Sequence, residues 1–249
     1  MASTSEAGHG KNVALFKLEV AYVKEVGTDW KPSNTSISVA SLEAKETACV
    51  TAMDDTTGAL ILSKNAINAR DGAYKEMPKK ATRMINALKG CGAGTDVMKD
   101  ARGILNKIRG QRTGTEPESP PPNPENPETT GGKGHSVSQL SFDYRKDNFA
   151  LLVAFLAGQT KYNPNEADLK VTALQGYLVS LGNLNGDVNR TETRLVSARG
   201  VRDEVLYAPE TGISELTGIV KGYALSLLGT DNPIYKKIKN IRIKRPKKK

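Results

Sequence analysis

Two Arg-Asp dipeptides, Arg70-Asp71 and Arg202-Asp203, each precede a tyrosine, Tyr74 and Tyr207. A guanidinium carries five donors in a rigid fork that matches a carboxylate or a phosphate, so these six residues are the polar group to watch. Adjacent residues on a helix do not face each other, and each Arg and Asp is therefore expected to find its partner on another helix or in solvent. An interhelical ion pair is the plainer role, and a pair of related ligand-binding arginines is the sharper one.

The second candidate is a run of positive charge. Lys236, Lys237, Lys239, Arg242, Lys244, Arg245, Lys247, Lys248 and Lys249 fall in the last fourteen residues, which hold no Asp or Glu. The other 27 Lys and Arg equal the 27 acids, so the whole net charge of +9 belongs to this tail. Such a tail can contact phosphates by counterion release, or it can be a solubility tail with Ile238, Ile241 and Ile243 tucked onto a helix. Aromatic residues do not interleave with the cations, which argues against base stacking.

Other chemistry is poorly supplied. Gly90-Cys91-Gly92-Ala93-Gly94 has the look of a phosphate cradle, but no strand precedes it and no Lys-Ser or Lys-Thr follows, so a helix-to-helix turn is expected. Cys49 and Cys91 have no second Cys or His at metal-ligand spacing and read as small buried or half-buried side chains, with a disulfide the minority alternative. His9 and His135 stand in glycine-rich stretches expected to be poorly ordered, which disfavours a mechanism built on a positioned imidazole. Glu43 and Glu46 read as an ordinary solvated helix face. No nucleophile-base grouping, metal spacing or dinucleotide fingerprint appears, so the expectation is a protein without catalytic residues, metal or cofactor.

Self-similarity defines the elements that would position these residues. At a shift of 132, Trp30-Lys31-Pro32 meets Tyr162-Asn163-Pro164, while Ile37, Val39, Ala40 and Leu42 meet Leu169, Val171, Thr172 and Leu174. Ala66, Arg70 and Asp71 meet Ala198, Arg202 and Asp203 at the same shift; at 133 to 135, Phe16 meets Phe149, Tyr74 meets Tyr207, and Gly94-Thr95-Asp96 meets Gly229-Thr230-Asp231. The fold class expected is all-α, with two tandem helical-bundle units, each built on one long central helix. The boundaries are a disordered N-terminus over 1–10, a first unit over 11–110, a Pro/Gly/Glu-rich linker over 111–135, a second unit over 136–235 and the basic tail over 236–249. The linker holds six prolines, a composition that reads as an extended spacer and alternatively as a groove ligand.

In the second unit, Phe142, Phe149, Leu152, Val153 and Leu156 predict a first helix stopping at Gly158. Asn165 is expected to cap a second helix running to Tyr207, about 60 Å if unbroken. Its positions 171, 174, 178, 181, 185, 188, 192, 195, 199, 202 and 206 alternate steps of three and four, the pattern of a coiled-coil seam. A third helix carries Ile213, Leu216, Val220, Tyr223 and Leu227, and Asn232-Pro233 starts a short fourth segment. The first unit repeats this with Val13, Phe16, Val20 and Val23, a long helix from about Ser33 to Tyr74, a segment from Met77 to Leu88, and a helix capped by Thr95.

Ser136-Val137-Ser138-Gln139-Leu140-Ser141-Phe142-Asp143, Tyr162-Asn163-Pro164-Asn165-Glu166, Ala198-Arg199 and Leu206-Tyr207 carry a resemblance to a family of helical proteins common in Bacteroidota genomes. The resemblance covers about 110 residues of the second half, with the first half similar to a diverged copy; it implies a bacterial helical protein and carries over no site. The first thirty residues lack the layout of a secretory signal, and no apolar run approaches the ~18 residues of a membrane helix, so cytoplasmic residence and no membrane span are expected. The function expected is a helical scaffold or protein-binding module that self-associates or binds a partner through its seams. The alternatives are nucleic acid or another polyanion held by the tail, and a small ligand or enzyme site near the Arg-Asp pairs.

Overall fold

A computed structural model describes residues 4–111 and 141–245, with side chains from position 8 onward. Among the described residues every regular element is helical: α1 (Thr4–Val26), α2 (Val39–Gly90), α3 (Thr95–Ile108), α4 (Phe142–Ala157), α5 (Val171–Tyr207), α6 (Ile213–Leu228) and α7 (Pro233–Asn240), with short 3-10 turns before α2 and α5. The all-α class is thus established. His135, most of the linker and Lys247, Lys248 and Lys249 lie outside the described residues.

Buried positions on the long helices recur every seven residues. In α2 they are Leu42, Cys49, Thr56, Ser63, Met77 and Met84, with half-buried Arg70 in the same row; in α5 they are Leu174, Leu181, Val188, Leu195 and Arg202. A strict seven-residue period keeps one row of a helix against its neighbours, as a coiled-coil seam requires. The alternate positions behave unevenly: Leu178 and Asn185 are half-buried and Leu206 is buried, whereas Glu192 and Arg199 are exposed, because a charged side chain there is better solvated than desolvated.

Several expected boundaries move. Helix α2 starts at Val39, where the Ser38 hydroxyl accepts from the Ser41 amide, and not near Ser33. Helix α5 starts at Val171 behind the 3-10 turn Ala167–Leu169, so Asn165 is not its cap. Gly94, rather than Thr95, is the N-cap of α3. The expected break between Tyr74 and Met77 does not occur, and α2 runs on through Pro78. Pro78 has no N–H to give the Tyr74 carbonyl one turn back, and an Arg145 Nη2 from α4 donates to that carbonyl in its place. Tyr177 Oη donates to the neighbouring Ala73 carbonyl at 3.0 Å. At the corresponding point after Tyr207 the chain has three more residues before its next apolar row, and α5 ends in the turn 208–212.

The chain forms two compact units, one from residues 1–64 and 190–249 and the other from 65–189. The first comprises α1, α2 to Lys64, α5 from Arg190, α6 and α7; its core holds Phe16, Val20, Leu42, Leu206, Val220 and Ile238. The second comprises the rest of α2 and α5 with α3 and α4; its core holds Met77, Met84, Ile108, Phe149, Leu156 and Leu174. These units are not the stretches 11–110 and 136–235, since each draws on both. With 52 residues in α2 against 23 in α1, the long helix has more seam than the helices of its own stretch cover. The N-terminus also departs from expectation: residues 4–10 are the first turns of α1, anchored because His9 and Asn12 dock onto Tyr207.

Candidate functional site

Positions related by the shift of 132 or 133 make matching contacts, one set in each unit. Trp30 Nε1 donates to the Ile37 carbonyl at 2.9 Å, and Tyr162 Oη donates to the Leu169 carbonyl at 2.9 Å. In the unit containing residues 65–189, Tyr74 packs edge-on against Phe142 with ring centroids 4.8 Å apart. Tyr207 meets His9 at 5.5 Å in the other unit, so His9 stands where Phe142 stands and Asn12 where Arg145 stands.

The chemistry of the two clusters differs. Arg202 is 6% exposed and places both Nε (3.0 Å) and Nη2 (2.8 Å) on Asp203 Oδ1. Adjacent helix residues therefore do pair here, contrary to the expectation from helix geometry. The Tyr207 hydroxyl accepts from Asn12 Nδ2 at 2.8 Å and lies 2.9 Å from His9 Nδ1. Burial pushes the Tyr207 hydroxyl above its ordinary pKa. This cluster is internally satisfied.

Its counterpart is open. Arg70 Nε lies 3.7 Å from Asp71 Oδ1, an ion-pair distance too long for a hydrogen bond, and the guanidinium carbon lies over Phe142, 3.8 Å from the ring centroid. The Arg145 guanidinium stands 5.5 Å from the Tyr74 ring centroid. The Asn185 amide lies beside the Tyr74 hydroxyl without a well-formed hydrogen bond between them, and its Nδ2 donates to Asp143 Oδ1 at 3.1 Å. Burial raises the Tyr74 hydroxyl as well.

The basic segment is not a free tail over its described part. Tyr235, Ile238 and Ile241 are buried and Ile243 packs against the core, while Lys236, Lys237, Lys239, Arg242, Lys244 and Arg245 are exposed. Asn232 Oδ1 caps α7 by accepting from Ile234 N, and Pro233 fills its first turn, as expected. Beyond α7 the backbone is held from two sides: Lys221 Nζ donates to the Ile241 carbonyl, and Asn12 Nδ2 donates to the Lys244 carbonyl at 2.7 Å. Lys237 lies over Tyr22 at 5.3 Å and Arg245 over Tyr207 at 5.9 Å.

The remaining candidates are structural. Residues 90–94 form the expected helix-to-helix turn, with Cys91 N on the Ala87 carbonyl and Gly92 at φ +78°. Cys49 is buried and Cys91 half-buried, neither in a disulfide, and burial pushes the Cys49 thiol up to about 11. Glu43 is exposed and pairs with Lys24, while Glu46, expected on the same solvated face, is half-buried and lies 3.8 Å from Lys17. Among the described residues no group of three His, Cys, Asp or Glu is placed to hold a metal, and no helix is long and apolar enough to cross a membrane.

One group has no counterpart in the sequence reading. Glu19 of α1 is 0% exposed, and its Oε2 accepts from Thr217 Oγ1 of α6 at 2.6 Å while Oε1 has no hydrogen-bond partner among the described residues. Burial pushes its carboxyl up to about 7, against the lowering effects of the Thr217 bond and of Lys221. Extending the Phe16–Phe149 match along α1 pairs Glu19 with Leu152, His9 with Phe142 and Asn12 with Arg145, the signal that would have found all three. The fold and these sites define an all-α protein with two polar clusters and a docked basic segment. Compared with family models, curated proteins and solved structures, the chain matches none.

Proposed function

We propose that this chain is a non-enzymatic helical scaffold whose docked C-terminal segment binds the phosphate backbone of nucleic acid. The observation that carries the reading is the division of residues 235–245 into an inward apolar row and an outward row of six cations. An anchored array loses less conformational entropy on binding than a loose tail, and lysines and arginines on a fixed backbone displace counterions together. We also read the two halves as copies of one unit, supported by the matching Trp30 and Tyr162 contacts.

Truncating the segment would remove Tyr235 and Ile238 from the core, so the test neutralises only exposed cations. Wild-type protein is expected to bind a labelled duplex with a log-log salt slope of about −5 if all six described cations meet phosphates. K236Q/K237Q/K239Q/R242Q should bind far more weakly with a shallower slope and an unchanged helical spectrum. Equal binding by both proteins, or none by the wild type at low salt, would overturn the reading.

A second use, as a protein-binding or self-associating scaffold, is favoured by the exposed aliphatic side chains Val179, Val196 and Val201 on α5. Light scattering over a concentration series tests self-association, and a mass fixed at the monomer value would count against it.

A further inference from the structure

Four of the five buried side-chain atoms that lack a hydrogen-bond partner among the described residues belong to one cluster: Arg70 Nε, Arg145 Nε, Tyr74 Oη and Asn185 Oδ1. All four residues belong to the unit of residues 65–189. A buried polar group left without a hydrogen bond keeps its full desolvation cost, so four in one place call for a partner. The corresponding cluster of the other unit shows what satisfaction looks like there, since Arg202 has Asp203 and Tyr207 has Asn12.

Two differences open the first cluster. Arg145 stands where the other unit has Asn12, so the tyrosine hydroxyl lacks the amide donor that Tyr207 has, and Asp71 does not close onto Arg70 as Asp203 closes onto Arg202. The result is two N–H donors from separate helices, a hydroxyl that donates or accepts, and one amide oxygen that only accepts. Asp71 and Asp143 stand exposed at the margin, so the cluster is formally neutral and suits a ligand of low charge.

We propose that Arg70, Arg145, Tyr74 and Asn185 form a binding site for a partly protonated phosphate group. Phosphate oxygens accept from the two Nε–H groups and the Tyr74 hydroxyl, and the remaining P–OH donates to Asn185 Oδ1. Charge-assisted bonds to two guanidinium groups supply the affinity, and the acceptor at Asn185 selects an oxyanion that keeps a proton. The site goes beyond the nucleic-acid reading and does not depend on it, because none of its residues belongs to the basic segment.

The test is titration of the full-length protein with inorganic phosphate at mildly acidic pH, observing the arginine Nε–Hε resonances by NMR. Those of Arg70 and Arg145 should shift together and saturate, and the melting temperature should rise by about 3 °C at ten times the dissociation constant. A phosphate monoester such as glycerol phosphate distinguishes the sources: a stronger response to it assigns the site to an esterified group, a stronger response to inorganic phosphate assigns it to the free ion. R145N, which copies Asn12 of the other unit, and R70Q should lose the response, whereas K244Q should keep it. Unmoved Arg70 and Arg145 resonances with both compounds overturn the proposal in the wild type alone, whether or not the variants fold. So does an equal response to sulfate, which has no proton to donate.

Discussion

At position 19 a carboxylic acid occupies the place that Leu152 fills in the other unit, and the consequence is a dependence of stability on pH. The Glu19 carboxyl has an ordinary value of 4.5 and is raised to about 7 in the folded chain, with burial the largest cause. The folded state therefore holds the proton more tightly than the unfolded state. Its contribution is fully present below about 4.5 and is lost as pH rises through about 7, a swing on the order of 3 kcal/mol. Gln at this position keeps an acceptor for Thr217 and never ionises, so E19Q should match the wild type near pH 5 and exceed it by up to that amount near pH 8. Urea denaturation at the two pH values measures the difference, and parallel pH profiles for the two proteins would exclude the assignment. Glu19 escaped sequence reading because a lone Glu in an amphipathic stretch is usually solvated; only its alignment with Leu152 marks it. The Arg-Tyr pairs were legible because the same residue types recur, but their different states were not, since these depend on what α1 and α4 bring: Asn12 in one case, Arg145 in the other.

The elements follow their apolar spacing closely, and the departures occur where three-dimensional contact decides a boundary. Gly158 and Gly229 end α4 and α6 as their positions suggest, and Asn232-Pro233 starts α7. By contrast, Pro78 is absorbed into α2 because Arg145 satisfies the carbonyl it strands, a contact from another helix that no local pattern contains. The turn after α5 has its own requirement. A Cβ on Gly212 would lie 2.7 to 2.8 Å from backbone atoms of Tyr207 and Ala208, and its φ of −71° needs no glycine, so steric exclusion alone fixes the residue. Gly218, inside α6, has nothing within 4 Å of the same point. The two substitutions should therefore have opposite signs: G212A is expected to cost about 1–3 kcal/mol because backbone cannot yield cheaply, while G218A should gain up to ~1 kcal/mol from helix propensity. Thermal unfolding of both variants checks this, and a neutral G212A would mean that the turn relaxes.

For the molecule as a whole, the correspondence between halves was legible but the way the chain uses it was not. Tandem copies are expected to fold each on itself, whereas each compact unit here takes residues from both halves. The reason lies in seam length: α2 carries buried positions from Leu42 to Leu88 over 52 residues, more than the 23 of α1 and the 14 of α3 in its own half can cover. It follows that neither half contains a complete core. Phe16, Val20 and Leu42 share a cluster with Leu206, Val220 and Ile238, and Met77 and Met84 share one with Phe149 and Leu174. Expressed separately, residues 1–111 and 136–249 would each expose about half of two apolar surfaces, and a core divided this way does not support a cooperative transition. Each fragment alone is expected to unfold at a much lower temperature than the full chain or to self-pair, and mixing the two should restore a single transition and co-elution in gel filtration. The outcome that would contradict this is fragment 136–249 melting cooperatively as a monomer at the temperature of the intact protein, since it would then own a core that the structure divides between the halves.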